Sequence, residues 1–178
     1  HILSGSKVSI RSALMSAVLR RTIKKQLDSL EDVVQFRENM AKAEGLSAKT
    51  PDNVIVTPLN IPRTSGASIP CEWIQMEEAS TKPVLLYFHG GCYVFGGLNG
   101  HRDVAWRLAE AGDVRVLLVD YRLAPEHPFP AALEDAIECY RWLLAQGTTP
   151  DQIAIGGDSA GGGLSVATPV NIKNLGMP

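Results

Sequence analysis

Two hydrophobic rhythms divide the chain. Residues 7–44 contain no proline or glycine, and their apolar positions recur at helical spacing: Ile10, Leu14 and Val18, then Ile23, Leu27 and Leu30, then Val33, Val34 and Met40. Gly45 supplies a stop. From residue 51 the texture changes to short apolar runs broken by turn residues. Residues 54–57 and 71–76 are predicted strands, joined by a loop over 60–68 that carries Pro, Ser and Gly. Residues 84–88 and 114–119 are nearly uninterrupted apolar runs, the pattern of strands buried on both faces in a parallel sheet. A shorter run of the same kind covers 153–155. Between these three lie predicted helices over 102–111, ended by Gly112, and 130–146, ended by Gly147. Strand, helix, strand, helix, strand is the rhythm of right-handed crossovers in an α/β sheet.

Composition narrows the class. With 178 residues, 45% hydrophobic, 20% charged and a net charge of -2, the chain reads as a globular domain, not a collagen-like or disordered one. No apolar run approaches the ~18 residues of a transmembrane helix. A balance of 17 basic against 19 acidic residues gives no pull towards nucleic acid. Three cysteines, Cys71, Cys92 and Cys139, form no CxxC pair. A disulfide framework or a cysteine metal site is not expected, and a cytoplasmic location follows as the default. Residues 1–6, which start at His1 and include Ser4-Gly5-Ser6, have the look of a cloning remnant and carry no argument.

Charge is uneven at one end. Lys7, Arg11, Arg20, Arg21, Lys24 and Lys25 all precede the first acid, Asp28. Residues 7–27 are open to three readings: a transit peptide, a basic amphipathic helix in weak contact with an anionic membrane surface, or one helix of a pair packed on a larger body. The last is favoured, because such helices are mostly surface elements of globular domains.

The chemistry sits in two glycine-rich turns. Gly157-Asp158-Ser159-Ala160-Gly161 follows the predicted strand 153–155 directly, and a G-x-S-x-G between strand and helix is a nucleophile elbow. A serine hydroxyl becomes useful when held exposed at a sharp turn, and small neighbours let the strand reverse into the helix. The helix start also offers free N–H groups and a positive dipole end to a developing oxyanion. Two nucleotide readings fail: no lysine follows Gly162 as a phosphate-binding loop requires, and no G-x-G-x-x-G is present. The second turn, His89-Gly90-Gly91-Cys92, ends the run 84–88. There an α/β-hydrolase supplies its other oxyanion donors from backbone N–H groups. His89 is read as a structural imidazole that ties the turn down. The two turns occur in the right order, each after its own strand, about 70 residues apart.

Together with the block Asp120-Tyr121-Arg122-Leu123-Ala124-Pro125-Glu126-His127-Pro128-Phe129-Pro130-Ala131-Ala132-Leu133-Glu134-Asp135, these turns resemble the hormone-sensitive-lipase family of α/β-hydrolases, which includes the bacterial family IV carboxylesterases. The resemblance runs from about residue 50 to 165. It implies an α/β-hydrolase fold, with residues 1–50 as a helical cap segment and 51–178 as a partial core of a mostly parallel sheet flanked by helices. It also implies hydrolysis of short- to medium-chain acyl esters, without a cofactor or metal. Ser159 would be the acylated nucleophile. The N–H groups of Gly91, Cys92 and Ala160 would form the oxyanion hole with Gly90 shaping its turn, and His89, Gly157, Asp158 and Gly161 would support the motifs. The partner is then a small-molecule ester; a homodimer is compatible with the resemblance.

Three features depart from the family. Cys92 stands where a third glycine is usual, and is expected at the rim of the acyl pocket. After Ser159 there is no aspartate or histidine, whereas the family's order is Ser, Asp, His, so both partners are expected beyond residue 178. Pro169 falls where the helix after the elbow should continue, at a cost of about 3 kcal/mol in a helix interior. The alternatives to an esterase are a binding protein on the same scaffold without turnover, or an inactive fragment.

Overall fold

Strands β3 (Val84–Phe88) and β4 (Arg115–Val119) are as apolar as they are because they serve two cores at once. In the computed structural model, which describes residues 33, 35, 37–39, 49–77 and 81–178, Val84, Leu86, Phe88, Leu117 and Val119 face one layer. Tyr87, Val116 and Leu118 face the other. Helices α2 (Ala131–Ala145) and α3 (Ala160–Asn174) cover the first layer through Tyr140, Leu143, Leu164 and Ile172. Helix α1 (Leu98–Gly112) covers the second with Ala105 and Ala109. The chain divides into two compact units, His1–Asn39 and Met40–Pro178. In the first, residues 33, 35 and 37–39 are helical. The basic stretch 7–27 lies outside the described residues.

Five strands form one mixed sheet in the order β1-β2-β4-β3-β5. β1 (Ile55–Pro62) and β2 (Ser68–Gln75) pair antiparallel, β2 pairs antiparallel with β4, and β4, β3 and β5 (Ile153–Gly157) run parallel. Beyond β5 no further strand stands among the described residues, so Ala154 is exposed.

Three expectations change. The loop over 60–68 shrinks to 63–67, because the β1–β2 ladder continues through Ile61↔Ile69 to Pro62↔Ser68, and both isoleucines are fully buried. Proline does not forbid this, since β1 is an edge strand and Pro58 need not donate on its open side. Helix α1 starts at Leu98, four residues earlier than the pattern suggested; Gly100 lies inside it without breaking it. Helix α3 runs straight through Pro169. Its inward face, Ala160, Leu164, Thr168 and Ile172, is buried, and the two large aliphatic side chains contribute about 1.5–3 kcal/mol each. Together that matches or exceeds the ~3 kcal/mol proline cost.

The block between β4 and α2 is tied down by one carboxylate. Asp135, fully buried, accepts from Arg63 Nε at 2.7 Å and Nη2 at 3.0 Å, and from the Arg122 backbone N–H at 2.9 Å and Nε at 3.0 Å. Burial alone would raise this carboxyl; the two guanidinium groups overcome that and hold it below its ordinary value.

Candidate active site

Register brings the two glycine turns together. β3 and β5 pair with Phe88 opposite Gly157, so residues 89–92 and 158–160 leave adjacent strands, about 4.8 Å apart, at the same end of the sheet. Two glycines permit the elbow. A Cβ on Gly157 would lie 2.5 Å from the Phe88 carbonyl oxygen and from Gly161, and a Cβ on Gly161 would collide with that same Phe88 carbonyl. Any larger residue at either position would force β3 and α3 apart.

Ser159 sits at the tip with φ 50 and ψ -114, a left-handed backbone that a non-glycine residue adopts only under constraint. It is exposed, and its Oγ makes no hydrogen bond among the described residues. The next residue, Ala160, opens α3. Across from it, Gly91 has φ 128, and Cys92 and Tyr93 have φ 54 and 62. The turn is closed by the N–H groups of Val94 and Phe95, both donating to the Gly91 carbonyl at 2.9 and 3.0 Å. The N–H groups of Gly91, Cys92 and Ala160 donate to nothing among the described residues.

Gly90 differs from its neighbours. Its N–H donates to Asp158 Oδ1 at 2.9 Å, so it is engaged and cannot serve as an oxyanion donor. Tyr87 Oη donates to the same oxygen at 2.9 Å, and His101 Nε2 stands 3.8 Å from it. The Tyr87 hydroxyl is pushed up by burial and further by Asp158, so it stays a donor. Neither Tyr87 nor His101 was singled out from sequence. A tyrosine in an otherwise apolar buried strand was the available signal, because a buried phenol needs a polar partner.

His89 is structural in its contacts. It is fully buried, its ring stacks on Tyr121 at 4.2 Å, and Tyr121 Oη donates to its carbonyl at 2.6 Å. Nδ1 lies 2.8 Å from the Gly90 carbonyl, so that nitrogen carries the proton. Nε2 has no hydrogen-bond partner among the described residues. Burial, with a smaller push from His101, lowers the imidazole pKa to about 4.

A cavity of about 350 Å³ opens beside α3, walled mainly by apolar atoms of Tyr93, Ala124, Phe129, Leu133, Leu164 and Ala167. Tyr93 follows the glycine turn after β3, and Leu164 and Ala167 lie on the helix that Ser159 starts. Cys92 is exposed and is not among the lining residues, so the cavity's rim here is Tyr93. No group of histidine, cysteine or carboxylate side chains among the described residues could hold a metal ion. None of the described helices is long and apolar enough to cross a membrane.

A β-sheet of this order with a serine elbow after β5 and a glycine turn after β3 defines an α/β-hydrolase core. The family model described as alpha/beta hydrolase fold matches residues 85–178. An esterase of the bacterial hormone-sensitive-lipase family shares 44% identity with TM-score 0.74, over 83% of this chain and 48% of that one. A hyperthermophilic esterase from Pyrobaculum calidifontis shares 34% with TM-score 0.75, over 90% and 53%. By sequence, an ethyl acetate hydrolase of Pseudomonas putida is 38% identical over 138 residues, 74% of this chain and 42% of that protein. The carboxylic ester hydrolase LipN of Mycobacterium tuberculosis is 37% identical over 140 residues, 76% of this chain and 37% of that one. The chain belongs to the α/β-hydrolase-fold family, in its hormone-sensitive-lipase branch. It spans about two-fifths of these curated relatives and about half of the solved structures.

Proposed function

We propose that the chain carries the nucleophile and the oxyanion hole of a carboxylic ester hydrolase acting on short- to medium-chain acyl esters. The observation that carries this reading is Ser159, held exposed in a left-handed elbow, with the uncommitted N–H groups of Ala160, Gly91 and Cys92 beside it. Ser159 Oγ attacks the ester carbonyl and forms a bond to its carbon. The carbonyl oxygen becomes an oxyanion that accepts from those three N–H groups, and the C–O bond to the alcohol breaks to leave an acyl-serine. Water then attacks the acyl-serine, the acid leaves and the hydroxyl is restored. A base must take the serine proton and return it to the leaving alcohol. Residues outside these 178 are proposed to supply that histidine and its aspartate, in the family's order. No step needs a cofactor.

The cavity beside α3 suits an acyl chain, because its lining is mainly apolar and includes Tyr93, Leu164 and the exposed Phe129. Residues 1–50 are proposed as a helical cap segment and 51–178 as the hydrolase core. The three free cysteines are consistent with a cytoplasmic enzyme. The test is hydrolysis of p-nitrophenyl butyrate by the full-length protein. Turnover that disappears in Ser159→Ala supports the reading. Saturable binding of the ester without turnover would make the protein a binding module instead.

A further inference from the structure

We infer that Asp158 is a positioning residue that locks the oxyanion turn to the nucleophile elbow through one carboxylate oxygen. The inference rests on the ester-hydrolase reading above and adds a role to it. Asp158 is the residue before the nucleophile, yet its Oδ1 accepts the Gly90 N–H from the neighbouring strand's turn at 2.9 Å. The same oxygen accepts Tyr87 Oη, also at 2.9 Å, from within β3. The two donors fix that oxygen from the β3 side, while the backbone of Asp158 leads directly into Ser159. The approach is close enough that a Cβ on Gly90 would collide with Asp158 Oδ2.

This contact does work that packing alone would not. Gly91, Cys92 and Tyr93 all occupy positive φ. A turn in that state relaxes unless something holds it. Its far end is held by the Ala124 N–H on the Tyr93 carbonyl at 2.8 Å, and its near end by Asp158 on Gly90. Oxyanion donors act only when aimed where negative charge develops, not where the ground-state carbonyl sits. Releasing the near end therefore weakens transition-state binding and leaves substrate binding alone. Asp158 touches no reacting atom; it acts through Gly90.

The experiment compares Asp158→Ala, Asp158→Asn and Asp158→Glu in the full-length protein, with Ser159→Ala as control. Asparagine keeps an acceptor oxygen at the same place. Glutamate keeps the charge but moves the oxygen by a methylene. The expected result is a kcat for Asp158→Ala lowered about 10- to 100-fold, since a misplacement near 1 Å costs on that scale. KM stays within about twofold, the signature of an interaction made in the transition state. Asp158→Asn retains most of kcat, and Asp158→Glu falls with alanine. In parallel, the Gly90 amide exchanges with deuterium faster in Asp158→Ala while the amides of β3 keep their protection.

An alanine variant with unchanged kcat, or one whose loss lies in KM alone, overturns the inference. So does an asparagine variant as impaired as alanine. If Asp158→Ala does not fold, Asp158→Glu decides the matter, because an unchanged kcat there also overturns it. Absence of turnover in the unmutated protein overturns the ester-hydrolase reading instead. In that case the exchange rate of the Gly90 amide still judges the lock: acceleration upholds it and an unchanged rate removes it.

Discussion

Replacing Asp135 with asparagine separates architecture from chemistry. The carboxylate is fully buried and receives four donors, the Nε and Nη2 of Arg63 and the N–H and Nε of Arg122. Arg63 itself is only 10% exposed, so it cannot turn to water for compensation. Losing the charge leaves two guanidinium groups facing each other across an amide, one of whose ends now donates. Breaking a buried pair from one side costs about 3–5 kcal/mol. At about 2–4 °C per kcal/mol for a chain of this size, the melting midpoint drops by roughly 6–20 °C. Circular dichroism melts measure it. Because the folded-state carboxyl lies below its ordinary value, the wild-type advantage is complete above the unfolded value of 3.8 and disappears as pH falls through the lower folded value. The gap between the two proteins is therefore flat above about pH 5 and closes below about pH 4. A midpoint shift under about 2 °C, or a gap that widens in acid, would refute the view that this ion cluster holds the β4–α2 block.

Two more predictions use other parts of the molecule. The buried His89 imidazole, at about 4 when folded against 6.5 when free, binds its proton more readily in the unfolded chain. Stability is therefore complete above pH 6.5 and falls between 6.5 and about 4, by about 3 kcal/mol at most; a urea titration series on His89→Gln should show this limb flattened. Phe129 is 86% exposed and walls the apolar cavity, so Phe129→Ala should change stability by less than about 0.5 kcal/mol. It should instead shift the preferred p-nitrophenyl ester chain length, and an unchanged chain-length profile would remove Phe129 from the acyl site.

What sequence reveals and conceals here follows from the range of the interaction. β3 and β4 were legible because burial on both faces leaves a nearly uninterrupted apolar run, and 153–155 repeats that pattern in shorter form. The elbow was legible because its steric needs are local, glycine at 157 and 161 around a serine. The ends of β1 and β2 were hidden because prolines at 58 and 62 argue against a strand until it is known to be an edge. Pro169 was misleading in the same way: its cost is local, whereas Leu164 and Ile172, which offset it, act through tertiary burial. The Tyr87–Asp158–Gly90 contact could not be read at all. It depends on Phe88 standing opposite Gly157, a register between residues about 70 apart that no short pattern encodes.

Cys92, Tyr93 and Ser159 share a property that bears on how such a protein changes over generations. Each holds a left-handed backbone that costs a residue with a Cβ about 1–2 kcal/mol. Together that is several kcal/mol in a class of molecule whose net stability is about 5–15 kcal/mol. Selection for heat resistance alone would favour glycine or asparagine at 92 and 93, where either relaxes the backbone. Selection for a stiff turn beside the serine would oppose it. The two pressures meet on the same few peptide units, so variants of this chain should exchange thermal resistance for turnover at these positions sooner than anywhere in the sheet.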